Sequence, residues 1–123
     1  FAVPGAFTPT CSNQHMPGYV QHAATIREKG VDTIVCLSVN DAFVMDAWGK
    51  DQGTGGNIMM VGDGNGEFTK AIGLEMDGSG FGLGTRSLRY SMIVRDGVVD
   101  TLNIESNPGE AVDSGAENLI SQL

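Results

Sequence analysis

Positive charge is scarce in this chain. Only 7 of its 123 residues are Lys or Arg, against 15 Asp and Glu, which leaves a net charge of −8. A surface this acidic argues against nucleic acid or an anionic membrane as a partner. Cysteine is scarcer still, at two. Two thiols make no disulfide framework, so the expected setting is a reducing compartment: the cytoplasm, with organellar forms left open. No apolar run is long enough to span a bilayer, and there are no internal repeats and no low-complexity segment. The length suits one domain, 1–123, large enough for a real core. Glycine, in contrast, is plentiful at 18 residues. With 41% hydrophobic residues alongside, it reads as many tight turns rather than disorder.

Hydrophobic spacing predicts the elements. Residues 10–29 carry a helical pattern with Tyr19, Ala23 and Ile26 on one side. Pro17-Gly18 should kink or restart that helix, and Gly30 should close it. Residues 31–39 are rich in β-branched residues on both alternate faces, as in a strand buried on both sides. Asn40-Asp41 caps a second helix that reaches Trp48. A third apolar run, 57–61, ends at the turn Gly62-Asp-Gly-Asn-Gly66, followed by a short helix at 67–72. Glycines at 78, 80, 82 and 84 predict an irregular loop. Residues 89–95 and 98–104 form two strands joined by Asp96-Gly97, a favoured hairpin turn. A last helix spans about residues 114–123. The order β-α-β-α-β-α-β-β-α predicts an α/β layer fold of the thioredoxin type, a mixed sheet flanked by helices.

Chemistry concentrates in Pro4-Gly-Ala-Phe-Thr-Pro-Thr-Cys11-Ser12. Pro9 suits the first turn of a helix, and Thr8 suits its N-cap. Cys11 then falls in the first turn, among backbone N–H groups without helical partners, where a thiol readily serves as a nucleophile. The competing reading is a half-buried cysteine behind a helix cap. Other motifs carry less. Cys11 and His15 share a helix face, but a tetrahedral metal site needs more ligands than His22 and Cys36 can add, so no metal is expected. Asp63-x-Asn65-x-Glu67 begins like a calcium loop, yet the position that should hold a bidentate Glu is Leu74. Gly80-x-Gly82-x-Gly84 neither follows a strand nor opens a helix, so it makes a poor nucleotide site. Met45 and Trp48 read as core or interface rather than a cofactor box.

Pro4-x-x-x-Thr8-x-x-Cys11 resembles the active-site pattern of the peroxiredoxins. The wider match is similar to the peroxiredoxin-5, or type II, subfamily. It includes His15-Met-Pro-Gly-Tyr19, Cys36-Leu-Ser-Val-Asn-Asp-Ala-Phe43, Asp63-Gly-Asn-Gly-Glu-Phe68 and Arg89-Tyr-Ser-Met92, and so covers the whole chain. The resemblance implies a thioredoxin fold and a cofactor-free thiol peroxidase acting on hydrogen peroxide and alkyl hydroperoxides. It implies Cys11 as the nucleophile that cycles through a sulfenic acid. Thr8 and the Cys11 backbone N–H would donate to the departing oxygen, Arg89 would hold thiolate and peroxide, and Pro4 would shield the thiolate. Arg86 takes a supporting role, and His15 either lines the pocket edge or is simply a packed helix residue. A homodimer bordering the Cys11 loop is implied, with Phe7 partly exposed. The alternatives are a non-catalytic thioredoxin-like redox sensor and an inactive fragment. Family chains carry an N-terminal hairpin and most of a central strand ahead of Phe-Ala-Val-Pro, so the chain is expected to be N-terminally incomplete or stabilised by a partner.

The subfamily's resolving cysteine aligns with Asp113, so that thiol is missing. Cys36 sits in a strand read as buried. A disulfide needs Cα atoms within about 7 Å and converging Cβ vectors, which such a position offers poorly. The expectation is therefore one-cysteine behaviour, with glutathione and glutaredoxin, or thioredoxin, as the external reductant.

Overall fold

The computed structural model describes residues 1–123. The first helical pattern becomes one nearly continuous helix. It opens at residues 9–10, widens into a π turn at Cys11–His15, and continues as α1, Met16–Glu28. In the wide turn the Met16 N–H reaches back five residues to the Cys11 carbonyl. The expected break at Pro17-Gly18 does not occur, and Pro17 sits at the head of α1. A proline ring collides with the carbonyl four residues back in a regular α-helix. The wider turn just ahead of Pro17 gives the ring room and keeps the helix whole. Gly30 then leaves the helix at φ 103°, a backbone region that favours glycine.

The expected strand at 31–39 shrinks to β1, Val35–Ser38. It pairs in parallel with β2, Met59–Gly62, across α2, Ala42–Asp51. Asp41 caps α2 as anticipated, its Oδ1 accepting the Val44 N–H at 2.8 Å. The expectation of burial on both faces of β1 is half right. Cys36 and Ser38 are fully buried, whereas Val35 and Leu37 are half-buried. Those two residues border a cavity of about 600 Å³ between β1 and the later strands.

α3, Glu67–Ala71, follows the left-handed Gly66. The glycine-rich loop then proves to be a hairpin connection. β3, Glu75–Asp77, pairs antiparallel with β4, Thr85–Ser87, and Gly78 N–H closes on Gly84 O at 2.7 Å. Strands of three residues are too short to show alternation, which is why they do not register in the sequence. β5, Tyr90–Arg95, and β6, Val98–Ile104, form the anticipated hairpin. Asp96 and Gly97 both take positive φ (49° and 79°), as this tight turn requires. α4, Ala116–Ser121, is shorter than the expected 114–123 and packs on α1.

Phe1-Ala-Val3 lies at the centre. Ala2 bridges β1 in parallel through Leu37 and β5 antiparallel through Tyr90. Its N–H bonds the Tyr90 carbonyl at 2.9 Å, and the Val3 N–H bonds the Leu37 carbonyl at 3.0 Å. This short segment joins two strand pairs into one mixed sheet, and it brings the end of β1 and the start of β5 to either side of the loop that follows Val3. The core beside it holds Trp48, Tyr19, Met16, Ile26 and Met45, all fully buried. No helix is long and apolar enough to cross a membrane.

Trp48 connects this core to the Cys11 turn, because its Nε1–H donates to Ser12 Oγ at 3.0 Å. Replacing Trp48 by Ala should lower unfolding free energy by about 3–5 kcal/mol, as for other buried aromatics. Urea denaturation checks this value. The milder Trp48→Phe should retain most of the packing and lose chiefly the Ser12 bond, about 1 kcal/mol.

Candidate active site

The loop from Pro4 to Thr8 is held tightly. Pro4, Gly5 and Ala6 are buried. The Ala6 N–H donates to Asn40 Oδ1 at 3.0 Å, and Ser38 Oγ donates to the same oxygen at 2.7 Å. A Cβ at Gly5 would stand 2.9 Å from Thr8 Cγ2 and 3.2 Å from Arg86 Nη1, so any side chain there would force Thr8 to shift. Phe7 follows at φ 61°, a conformation disfavoured for a bulky residue. It is 53% exposed, as expected for the rim of a reactive turn.

Thr8 does not cap the helix with its side chain. Its hydroxyl donates to the Gly5 carbonyl at 2.6 Å, and its own carbonyl accepts the Ser12 N–H at 2.9 Å. The hydroxyl is thus oriented within the Pro4–Thr8 turn, and its oxygen accepts no helical N–H. Cys11 therefore precedes the Ser12-to-Thr8 bond that starts the helical ladder. It is also more enclosed than a half-buried thiol, at 1% exposure.

Arg89 arrives from the opposite end of the sequence. It lies just before β5 and is buried at 2% exposure. Its Nη2 donates to Cys11 Sγ at 3.2 Å, Nη1 donates to His15 Nδ1 at 3.0 Å, and Nε donates to the Pro108 carbonyl at 3.3 Å. Three directed bonds around a rigid, planar guanidinium fix both its position and its plane. The structure thus brings Cys11 and Arg89 into contact and places Pro4 and Thr8 in the adjoining loop. Arg86 stays outside this cluster, with Nε on the Leu83 carbonyl at 2.9 Å and Nη1 reaching the Pro4 carbonyl only at 3.5 Å.

His15 is a packed residue and more. Its ring lies 5.0 Å from that of Phe1 and 5.6 Å from that of Tyr19. Nε2 meets the Ser114 carbonyl at 3.0 Å. Arginine can only donate and a carbonyl can only accept, so the ring must be neutral with its proton on Nε2. Burial, reinforced by the Arg89 charge, pushes its pKa down to about 3, against the opposing pull of the Ser114 carbonyl. Both ring nitrogens are thereby engaged, and neither is free to ligate a metal.

Several supporting groups were not legible as such. The Ser114 carbonyl also accepts from Tyr19 Oη at 2.8 Å. Ser114 N–H and Oγ both donate to buried Glu105 Oε1, at 2.8 and 3.0 Å. The Glu105 N–H returns to the Arg89 carbonyl at 2.9 Å. Tyr19 sits in a motif already singled out, but Ser114 acts through a backbone carbonyl, for which a sequence gives no signal.

Cys36 is enclosed in β1 with no exposed surface. Burial pushes its thiol up to about 12, so it stays protonated at neutral pH. Both cysteines are free. Asp113 is exposed, next to Ser114. The 600 Å³ cavity is lined by neither Cys11 nor Arg89.

Comparison with known proteins places the chain in a family. The Redoxin family model matches residues 1–120. The chain is 53% identical over its full length to chloroplastic peroxiredoxin-2E of Arabidopsis thaliana, covering 53% of that protein. It is 47% identical to peroxiredoxin-2B of the same plant, covering 75% of it. The chain thus spans about half the length of the first of these relatives and three quarters of the second. Among solved structures, reduced Prx3 from Vibrio vulnificus in complex with hydrogen peroxide superposes with a TM-score of 0.93 at 55% identity, over 99% of this chain and 78% of that one. With a Cys11 loop packed against a buried arginine on a thioredoxin-like sheet, and with these relatives, the chain belongs to the peroxiredoxin family and is of the peroxiredoxin-5-like type.

Proposed function

We propose that this chain carries the reaction centre of a thiol peroxidase that reduces hydrogen peroxide and alkyl hydroperoxides. The observation that carries the reading is the Arg89 Nη2–H donated to Cys11 Sγ at 3.2 Å between two buried side chains. A thiolate is the competent nucleophile, and a guanidinium at this distance gives it a charge-assisted hydrogen bond. The Cys11 thiolate attacks one oxygen of the peroxide. An S–O bond forms, the O–O bond breaks, and its electron pair leaves with the second oxygen. That oxygen takes a proton and departs as water or an alcohol, leaving Cys11 as sulfenic acid. The bound hydrogen peroxide of the Vibrio vulnificus relative supports the substrate class.

The role expected of Thr8 changes in one respect. Its hydroxyl proton is committed to the Gly5 carbonyl, which leaves its oxygen lone pairs to accept a hydrogen bond from the peroxide O–H. Donation toward the departing charge then falls to Arg89 and the Cys11 backbone N–H, preorganised as catalysis of this kind requires. Pro4, buried in the same loop, closes the thiolate off from water.

Recycling follows from Cys36. A fully buried, protonated thiol on a central strand is a poor partner for a sulfenic acid, and Asp113 supplies no sulfur. An external thiol attacks the sulfenic sulfur, releasing water, and a second thiol completes the reduction. Glutathione with glutaredoxin, or thioredoxin, is the proposed source. Phe7 on the rim of the Cys11 loop and Phe43 on α2, 53% and 87% exposed, suit a homodimer surface. Trp48, wholly buried, takes no part in that surface.

Three measurements test the proposal. With dithiothreitol as reductant, Cys11→Ser should consume no peroxide, and Arg89→Met should lose about 100- to 1,000-fold in rate, the scale for removing one preorganised donor. Turnover by Cys11→Ser equal to that of the parent protein would end the peroxidase reading. After one equivalent of peroxide without thiol, mass spectrometry should show sulfenic acid on Cys11. A stoichiometric Cys11–Cys36 disulfide within one chain would overturn the one-cysteine assignment. Sedimentation should detect a dimer that Phe7→Ser weakens, and a monomer at all concentrations would exclude the homodimer.

A further inference from the structure

We propose that His15 is a positioning residue of this site: a neutral imidazole whose Nδ1 accepts the Arg89 Nη1–H and thereby keeps Nη2 aimed at Cys11 Sγ. The role rests on the peroxidase reading for its consequence, but the geometry stands by itself. Arg89 cannot orient its own guanidinium. Of its three bonds, the one to Pro108 is the longest, at 3.3 Å, and comes from an exposed loop residue. The bond to His15, at 3.0 Å between two buried groups, is the shortest.

The imidazole is itself held from behind. A ring that donates to a carbonyl through Nε2 must present a bare Nδ1, the acceptor that Arg89 needs. The Ser114 carbonyl selects this tautomer, and Ser114 is locked by two bonds to Glu105 Oε1. Glu105 in turn bonds the Arg89 carbonyl, so the chain of contacts closes on itself. A residue needed only for packing against Phe1 and Tyr19 would use its ring faces and would not require two opposed hydrogen bonds on the ring edge. The low pKa of the ring agrees with this arrangement, since a protonated Nδ1 would face a guanidinium. The same arrangement fits the i, i+4 spacing of Cys11 and His15. The π turn carries the thiol at its first residue and the group that holds its arginine at its last.

The test separates acceptor from packing. In His15→Asn the amide oxygen falls near the Nδ1 place and keeps an acceptor for Arg89. In His15→Gln the amide reaches the Nε2 place, serves Ser114, and leaves Arg89 without its acceptor. The rate of Cys11 oxidation by hydrogen peroxide should fall about 10- to 100-fold in His15→Gln, the scale for a displaced catalytic group, and stay within about 3-fold in His15→Asn. In an Arg89→Met background, His15→Gln should change the remaining rate by less than about 2-fold, because its effect passes through Arg89. Equal losses in both variants, no loss in His15→Gln, or a full loss that persists without Arg89 would overturn the proposal. Ring nitrogen-15 shifts of the unsubstituted protein provide a readout that no folding defect can blur. They should show the Nε2–H neutral tautomer at neutral pH, and an Nδ1–H or charged ring would overturn the assignment. If the parent protein itself consumes no peroxide, the peroxidase reading fails on its own. Cys11 alkylation by iodoacetamide then still tests His15, with His15→Gln expected to follow Arg89→Met and His15→Asn to follow the parent.

Discussion

The Arg89–Cys11 contact is the constraint around which the structure is arranged. It places a guanidinium and a sulfur side by side where almost no solvent reaches. A buried cation is tolerated only when its donors are met, and here the acceptors come from widely separated segments. Sulfur comes from the π turn, an imidazole nitrogen from its far end, and a carbonyl from the loop before α4. Two of these acceptors are in turn tied down, the imidazole by Ser114 and the loop by Thr10 Oγ1 on the Gly109 carbonyl at 3.3 Å. The sheet supplies the frame. Ala2 bonds both β1 and β5, so the Cys11 loop that follows it and the arginine that precedes β5 enter the same space.

Two cysteines in one chain show how far position decides chemistry. Cys36 lies within β1, surrounded by core, and its burial favours the neutral thiol. Cys11 is nearly as enclosed, but a guanidinium donates to it and it opens a helix rather than lying within a strand. Accessible area alone does not tell them apart. The difference lies in which groups replace water around each sulfur, and Cys11 accepts a hydrogen bond from a guanidinium.

Much of this was legible because the terms involved are local. The Asp41 cap, the Asp96-Gly97 turn and the helical face of Tyr19, Ala23 and Ile26 depend on neighbours a few residues away. The Pro4–Cys11 pattern was legible for the same reason, since a tight turn and a helix start are written in consecutive residues. Where reading failed, competition decided. The Thr8 hydroxyl donates to the Gly5 carbonyl of its own turn instead of serving as the helix cap. Pro17 was expected to break a helix that instead widened by one residue ahead of it. β3 and β4 are too short for their own pattern and exist because they pair.

The sequence by itself determined that a thiol would open a helix behind a proline-glycine turn, that α and β segments would alternate into a layered sheet, and that no second thiol would follow near Asp113. Only the tertiary structure decided that His15 faces Arg89, that Ser114 selects its tautomer, and that Glu105 holds Ser114. The physical reason is separation. Cys11 and Arg89 stand 78 positions apart, and His15 and Ser114 stand 99 apart. No local propensity can choose among partners at such range. That choice is made by packing, where every buried donor must find an acceptor.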